Sequence, residues 1–219
     1  MTATKKSIGL RRAAKAKDSS EFYQERQQEI LRAAGLVFQE IGYQAATIND
    51  IADKLGTDRA SVYYYVSSKV ELLKKMVREA TVKNIDAIEA IVASDRTAAD
   101  KLRAVFVAQM ECYRTSYPYL HVFLQEKFPT LSRDRSAWNK EIRELADRYY
   151  KAFFRIIEQG IADGEIATDL PIEVTTHATI GMVNWAHRWY KPEGKLPAET
   201  IGQGFADIVL NGLLVKRSS

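Results

Sequence analysis

The chain has 219 residues, of which 46% are hydrophobic and 27% are charged, with a formal net charge of only +4. This length permits one large domain or two small ones, with enough apolar side chains for a buried core. The single cysteine, Cys112, excludes an internal disulfide and a cysteine-based metal cluster. No segment has the pattern of a signal peptide or the length of a membrane-spanning helix, so we expect a cytoplasmic protein with no membrane partner.

Positive charge is concentrated at the N-terminus. Residues 1–20 have a net charge of +5, which leaves −1 for the remaining 199 residues. A basic segment of this kind favours a polyanion such as DNA, and a solvated disordered tail is the alternative. We assign residues 1–21 to a basic N-terminal arm, disordered or partly helical.

Helical periodicity follows the arm, and no segment has the pattern of a strand. Apolar residues spaced by three and four predict a first helix over about 22–40, ended by Gly42. Thr47, with an acid three residues later, predicts the N-cap of a short second helix that ends at Gly56. Asp58 then predicts the N-cap of a short third helix.

A longer helical region begins at Ser68, which with Glu71 predicts a capping box and a fourth helix to about Val92. Further apolar helices are expected near 97–115, 118–127, 132–162, 171–190 and 197–215. The last two begin beside prolines, which we place at the first helical position. The predicted fold class is all-α, with a three-helix domain at 22–75 and a larger helical bundle at 76–219.

The second and third helices are joined through Leu55-Gly56-Thr57, which is the geometry of a helix-turn-helix. The second helix of such a pair lies in the major groove and places its N-terminal side chains against base edges. Here those exposed positions include an arginine suited to guanine, a small residue suited to a thymine methyl group, a hydroxyl and tyrosines. They are Arg59, Ala60, Ser61, Tyr63, Tyr64 and Tyr65. Thr47 and Lys69 stand at helix N-termini, where a DNA phosphate is favoured.

The stretches 46–56 (ATINDIADKLG) and 61–73 (SVYYYVSSKVELL) resemble the DNA-binding domain of the TetR family of repressors. The similarity extends over about residues 22–73. It implies phosphate contacts from Thr47, Tyr65 and Lys69. It implies base contacts from Asn49, Arg59, Ala60, Ser61, Tyr63 and Tyr64.

A single helix-turn-helix contacts few bases, so we expect a homodimer on a palindromic double-stranded operator. Small residues within the last two apolar helices favour close packing there, and the resemblance implies that these helices form the dimer surface. An ordinary intrachain core is the alternative. The small residues are Gly181, Ala186, Gly202, Gly204, Ala206 and Gly212, beside the apolar Ile201, Phe205, Ile208, Val209, Leu213 and Leu214.

The remaining helices are rich in aromatic side chains, which form either a large core or the wall of a ligand cavity. The resemblance implies a cavity for a small-molecule effector. Candidate ligand-binding residues are Gln109, Tyr113, Phe123, Trp185 and Arg188. The segment 187–197 (HRWYKPEGKLP) also resembles a helix-loop-helix of TetR-family members that respond to acyl-coenzyme A thioesters.

The predicted function is therefore a ligand-responsive transcriptional repressor, released from DNA by an effector such as an acyl-CoA or a hydrophobic acid. A DNA-binding regulator or architectural protein without a small-molecule ligand is the alternative. We expect no catalytic residues, no metal site and no cofactor. His177 and His187 lie ten residues apart, about 15 Å along a helix, which is too far to share an ion. No nucleophile elbow or phosphate-binding glycine loop is present in the sequence.

Overall fold

The computed structural model describes residues 3–125 and 137–213. Every regular element in these ranges is a helix and none is a strand, which confirms the all-α fold class. In chain order the helices are α1 (Ala3–Ile41), α2 (Ile48–Lys54), α3 (Arg59–Tyr65), α4 (Lys69–Val92), α5 (Ala98–Thr115), α6 (Tyr119–Gln125), α7 (Ala137–Ala162), α8 (Ile172–Asn184) and α9 (Ala198–Leu213). A 3₁₀ turn, Trp185–Arg188, directly follows α8.

The chain divides into two compact units, an N-terminal unit that ends at Met76 and a C-terminal unit that begins at Val77. The division falls within α4, so this helix contributes its first two turns to one unit and the rest to the other. Helix α1 begins at Ala3, which makes the backbone of the arm helical from that residue. The side chains of the arm lie outside the described part of the chain.

The predicted limits of the short helices are confirmed by their caps. The Thr47 hydroxyl accepts a hydrogen bond from the Asp50 backbone N–H at 3.2 Å, and the Asp50 carboxylate accepts one from the Thr47 backbone N–H at 2.8 Å. This reciprocal pair is the capping box of α2. Gly42 and Gly56, which follow α1 and α2, have φ angles of +82° and +63°, a region that favours glycine.

Helix α4 begins with a variation on the predicted box. The Ser68 hydroxyl accepts a hydrogen bond from the Glu71 backbone N–H at 3.1 Å, as expected for an N-cap. The Glu71 carboxylate, however, accepts hydrogen bonds from the backbone N–H and the hydroxyl of Ser67, at 2.6 and 2.5 Å. The acidic half of the box therefore acts one residue earlier than predicted.

In the C-terminal unit, α9 packs closely on α5 because α9 carries a glycine at the crossing. A Cβ atom at Gly202 would lie 2.7 Å from the Cα atom of Val107, a distance that no side chain could occupy without a backbone shift. Phe106 and Phe153, on α5 and α7, are fully buried in the same core. Packing within the chain therefore accounts for the glycine at position 202, and our assignment of Gly202 to the dimer surface was wrong.

Ala186 and Ala206 require the same correction, since both are fully buried within their own chain. Gly181 and Gly204 remain exposed, with open space where a Cβ would stand. Ile208 is also exposed, whereas Val209 is buried. The side chains of residues 212–214 lie outside the described part.

Two further expectations for the last helices need adjustment. The helix predicted over 171–190 ends at Asn184, and the chain continues as the 3₁₀ turn. Pro171 is the N-cap of α8, with an extended ψ of 141°, and Pro197 also precedes its helix, so neither proline is the first helical residue. The ends predicted at 127, 132 and 215 lie outside the described residues.

Candidate DNA-binding surface and ligand cavity

Helix α3 presents most of the side chains that we predicted to face DNA. Its N-cap is Asp58, whose carboxylate accepts hydrogen bonds at 2.8 Å from both the backbone N–H and the hydroxyl of Ser61. These bonds, the backbone one first, lower the pKa of Asp58 below its usual value, so the cap is ionised at neutral pH. The Ser61 hydroxyl therefore uses its one donor in the hydrogen bond to Asp58, and it can only accept a hydrogen bond from another partner.

Arg59 and Tyr63 form a pair one helical turn apart. The guanidinium donates a hydrogen bond to the Tyr63 hydroxyl at 3.1 Å and lies 5.0 Å from the centre of the same ring. Arg59, Ala60 and Tyr63 are all exposed. The pairing holds the arginine along the exposed face of α3, where a planar donor group suits a base edge or a phosphate.

The three consecutive tyrosines separate into different environments because successive helical residues point about 100° apart. Tyr64 is 74% exposed, whereas Tyr65 is half-buried and its ring lies 4.8 Å from that of Tyr23. The Tyr65 carbonyl also accepts hydrogen bonds from Gln27 and Lys75, each at 3.4 Å. Tyr65 thus joins α3 to α1 and α4, while Tyr63 and Tyr64 remain exposed.

The residues at the start of α2 are partly engaged within the protein. The Thr47 hydroxyl donates to the Asp50 carboxylate at 2.7 Å in addition to its role as a cap. These contacts with Thr47, the side-chain bond first, lower the pKa of Asp50. Asn49 is exposed and stands beside them at the same end of α2.

Lys69 has a different environment from the one expected for a phosphate contact. Its ammonium donates hydrogen bonds to the backbone carbonyls of Tyr43, Ala46 and Gln44, at 2.7, 2.8 and 3.2 Å. It also lies 4.6 Å from the centre of the Tyr43 ring. The three N–H donors of a lysine ammonium are therefore all used within the N-terminal unit.

The C-terminal unit contains a cavity of about 470 Å³. Its wall is mostly apolar, and helices α4 to α8 all contribute to it. The apolar lining residues are Val77, Ile85, Leu120, Phe123, Leu124, Ile142, Leu145, Ala146 and Ile180. A cavity of this size and character suits a small hydrophobic ligand.

The cavity brings together three of the five predicted ligand residues, Gln109, Tyr113 and Phe123. Trp185 and Arg188 do not line it. Trp185 is 60% exposed, and the Arg188 guanidinium lies 4.7 Å from the centre of its ring. The two side chains form a surface pair because α8 gives way to a 3₁₀ turn at this point.

Several polar lining residues were missed by the sequence analysis. Asn84 is the clearest example, because its side-chain amide donates a hydrogen bond to the Gln109 side-chain oxygen at 2.7 Å. The available signal was a polar residue on the α4 face that also carries Val77 and Ile85, at helical spacing. Cys112 and Tyr149 also line the cavity.

Burial keeps the Cys112 thiol and the Tyr113 and Tyr149 phenols of the cavity in their protonated forms. It raises the pKa of the Cys112 thiol to about 11 and raises the pKa values of the Tyr113 and Tyr149 hydroxyls above their ordinary range. Within residues 3–125 and 137–213, no group of three His, Cys, Asp or Glu side chains could hold a metal ion. In the same ranges no helix is sufficiently long and apolar to cross a membrane.

Two family models match the chain, one for each unit. The model for bacterial regulatory proteins of the tetR family matches residues 30–76. The model for the tetracyclin repressor-like C-terminal domain matches residues 95–213, which is more than half of the chain.

Individual relatives extend the similarity over most of the chain. The transcriptional repressor KstR2 of Mycolicibacterium smegmatis is 29% identical over 189 residues, covering 86% of this chain and 90% of the relative. The structure of the ketosteroid transcriptional regulator KstR2 of Mycobacterium tuberculosis matches with a TM-score of 0.72 at 26% identity, covering 87% and 96% of the two chains.

The fold is shared more widely. AibR, solved in complex with isovaleryl coenzyme A and operator DNA, matches with a TM-score of 0.66 at 20% identity, covering 84% of this chain and 97% of that one. The helix-turn-helix geometry and both family matches lead to one conclusion: the chain belongs to the TetR family of DNA-binding transcription regulators.

Proposed function

We propose that this protein is a ligand-responsive transcriptional repressor that binds a palindromic operator as a homodimer and leaves it when a small hydrophobic effector binds. The observation that carries the proposal is the 470 Å³ cavity, whose wall includes Val77, Thr81, Asn84 and Ile85 of α4. Helix α4 continues from the cavity wall back to Lys69 in the N-terminal unit. A ligand that contacts α4 can therefore favour one position of this helix over another.

The proposed DNA surface consists of the exposed residues of α3 together with the start of α2. Arg59 reads a guanine edge or a nearby phosphate, and Ala60 and Tyr63 contact neighbouring bases. Thr47 and Tyr65 position the phosphate backbone. The remaining members of the surface are Asn49, Ser61 and Tyr64.

For Lys69 we propose a positioning role in place of the phosphate contact that the family resemblance implies. Its ammonium is held by three carbonyls between α1 and α2, which fixes the start of α4 against that loop. The basic arm supplies the sequence-independent attraction to DNA that the helix-turn-helix domain lacks, since residues 21–75 contain seven basic and eight acidic side chains.

The proposed dimer surface lies on α8 and α9. On α8 the exposed Val174, Ala178 and Gly181 fall at helical spacing, the exposed Trp185 directly follows the helix, and Ile208 is exposed on α9. Apolar side chains exposed in such a row favour a protein partner, and a second copy would cover them. The two recognition helices of such a dimer must be separated by about one turn of DNA, which is about 34 Å.

The proposed effector class is an acyl-CoA or another hydrophobic acid derivative. The apolar wall supports an acyl chain or ring system in the cavity, and the relative KstR2 is described as a ketosteroid regulator. AibR, which shares only the fold, was solved with an acyl-CoA. A regulator without a ligand is the second candidate, and the cavity argues against it because such a domain needs no space of this size. We expect no catalytic activity.

The test has two stages. Selection from random DNA should yield a palindromic site, and fluorescence anisotropy should then measure release of that site by acyl-CoA thioesters and by fatty and steroid acids. Arg59→Ala is the matched control, because it should lose the site while keeping any ligand binding. No preferred site would contradict the DNA-binding role, and a preferred site that no compound releases would favour the ligand-free regulator.

A further inference from the structure

A set of hydrogen-bonding side chains interrupts the apolar wall of the cavity. These residues come from four helices and form what we call the polar cluster: Asn84 on α4, Gln109 and Tyr113 on α5, Tyr149 on α7 and Asn184 on α8. Side chains so widely separated in sequence converge only in the folded unit. Their convergence inside a hydrophobic cavity is unnecessary for packing and suits recognition of a polar group on a ligand.

The hydrogen bonds within the polar cluster are unequal. Asn84 donates to the Gln109 side-chain oxygen at a normal 2.7 Å. The Tyr149 and Tyr113 hydroxyls both point to one oxygen of Asn184, at 3.2 and 3.5 Å. Hydrogen bonds between oxygens are usually 2.7–2.8 Å long. The two phenols therefore share one Asn184 oxygen over long distances, and the Gln109 side chain also interacts with the Tyr113 hydroxyl.

Asn184 also keeps a free donor. Its side-chain oxygen accepts hydrogen bonds from both phenol hydroxyls. Its side-chain N–H groups have no protein partner within residues 3–125 and 137–213. Together with the phenols, this amide gives the cavity a concentration of donors that are weakly satisfied or unsatisfied. No fully buried side-chain donor lacks a partner in the described part of the chain, so this amide retains accessible surface, and Asn184 lines the cavity where a ligand acceptor can reach it.

The charge of the wall restricts what that acceptor can be. No lysine or arginine lines the cavity among the described residues, and the Tyr113 and Tyr149 phenols are neutral. Two histidines belong to the wall: the His177 ring stacks on Tyr150 at 4.9 Å, and His187 Nδ1 contacts the backbone carbonyl of Asn184. A carboxylate moved into such a site would lose its hydration without gaining a lysine or arginine partner, whereas a neutral carbonyl has much less hydration to lose. The wall therefore favours a neutral carbonyl ligand over a carboxylate, in addition to offering it hydrogen bonds.

We propose that the polar cluster recognises one neutral carbonyl oxygen, of a ketone, ester or thioester, on an otherwise apolar effector. The oxygen accepts hydrogen bonds from the Asn184 amide and from the Tyr113 and Tyr149 hydroxyls, and the apolar wall encloses the attached carbon skeleton. This inference rests on the proposed ligand-sensing function and narrows it, because it predicts that a free acid binds more weakly than its neutral derivatives.

Three probes with one rigid skeleton test the inference: androstan-17-one, androstane and androstane-17-carboxylate at pH 8. Competition against a fluorescent hydrophobic dye would give their affinities for the full-length protein. We expect the ketone to bind at least about tenfold more tightly than the hydrocarbon or the carboxylate, the equivalent of one buried hydrogen bond.

Substitutions assign the preference to the polar cluster. Asn184→Leu should remove most of the ketone advantage. Asn184→Asp keeps the oxygen that the phenols need and replaces the amide donor, so it should abolish or reverse the advantage even if the leucine variant folds poorly. Ile180→Val is the matched control, because it trims the apolar wall and should weaken all three probes alike. Thermal melting checks that each variant is folded.

The outcomes separate this inference from the function on which it rests. A hydrocarbon or carboxylate that binds as tightly as the ketone would overturn carbonyl recognition while leaving ligand sensing intact. An unchanged ketone advantage in folded Asn184→Asp would overturn the assignment to the polar cluster. Failure of all three probes to bind would contradict the hydrophobic ligand cavity itself and, with it, both proposals.

Discussion

The two units of this protein organise their candidate functional side chains over different distances in sequence. In the N-terminal unit, the Thr47–Asp50, Asp58–Ser61 and Arg59–Tyr63 contacts join residues three or four positions apart. In the polar cluster of the C-terminal unit, the three hydrogen bonds join residues 25, 35 and 71 positions apart. The proposed DNA surface is thus formed largely by contacts within individual helices, whereas the cavity is formed by packing between helices.

This difference has a functional consequence. Contacts within one helical turn survive a movement of that helix, so the exposed face of α3 keeps its shape whatever the cavity contains. Contacts between helices change when the helices move, so under the proposed function an effector in the cavity would alter the polar cluster. The proposed function uses both properties, because it requires a DNA-reading surface of constant shape and a cavity whose contacts change with its ligand.

The strongest test of this contrast is a substitution at the α5–α9 crossing. Gly202→Val places a side chain where even a Cβ atom would be 2.7 Å from the Val107 backbone. We expect the free energy of unfolding to fall by about 3 kcal/mol or more, because neither backbone can yield easily. Urea unfolding followed by circular dichroism measures the loss.

Gly204→Ala is the matched control, two residues away on the same helix, with nothing within 4 Å of the added methyl group. In the protomer it should stabilise α9 by up to about 1 kcal/mol through helix propensity. Equal destabilisation by both substitutions would show that the crossing does not control the stability of the C-terminal unit. A loss of dimer with Gly204→Ala, seen by analytical ultracentrifugation, would support the proposed surface on α9.

Burial of the cavity wall gives the next largest effect. The pKa of Cys112 is raised from 9.0 to about 11 by burial, so at pH 8 its reactive thiolate is about a hundredfold scarcer than in an exposed cysteine. Alkylation by iodoacetamide should be slower by at least that factor, as followed by mass spectrometry. A cavity-filling probe should slow it further. Alkylation in the native state at the rate seen in urea would show that this wall is open to solvent.

The same contrast explains what could be predicted from sequence. The caps at Thr47 and Asp58 and the turns at Gly42 and Gly56 were predictable because each depends on neighbours within one turn. Asn84 was missed because a single polar residue on an apolar helix face does not reveal a partner 25 residues away. The cavity itself could be expected only through the family resemblance.

The predicted helix over 171–190 was wrong near its end, and this local change of conformation affects which side chains reach the cavity. Trp185 and Arg188 were candidate ligand residues within a helix predicted over 171–190. The chain instead tightens into a 3₁₀ turn at Trp185, and such a turn advances about 120° per residue in place of 100°. Trp185 and Arg188 therefore point in different directions from those they would have in a continuous helix, and neither lines the cavity. The dimer assignment of Gly202 failed because a small residue permits close packing without specifying the partner.

Lys69 is a long-range contact within the otherwise local N-terminal unit, and its replacement should have an intermediate effect. Lys69→Met removes three donors to carbonyls more than twenty positions away, so we expect a loss of about 1–3 kcal/mol in unfolding free energy and about tenfold in operator affinity. The slope of log Kd against log salt should not change. Replacement of a lysine that neutralises a phosphate would instead reduce the magnitude of that slope by about 1.

Lys54→Met provides the control for Lys69→Met. Lys54 forms a surface ion pair with Glu40, so its loss should change stability by less than about 1 kcal/mol. A reduced salt slope in Lys69→Met, with unchanged stability, would restore the phosphate contact and end the positioning role.

The smallest predicted effect is a pH dependence at the start of α4. The hydrogen bond from the Ser67 hydroxyl, ahead of the Ser67 backbone bond and the Lys75 charge, lowers the pKa of Glu71 from 4.5 to about 2. A lowered pKa in the folded state gives stability that is complete above 4.5 and is lost as the pH falls toward 2. Because the side chain is 34% exposed, we expect less than about 1 kcal/mol. Urea unfolding of wild type, Ser67→Ala, Glu71→Gln and the double variant gives the coupling energy, which should be measurable at pH 7 and should decline at pH 3. A coupling energy equal at the two pH values would mean that ionised Glu71 does not stabilise this helix start, and that its local contacts depend on geometry alone.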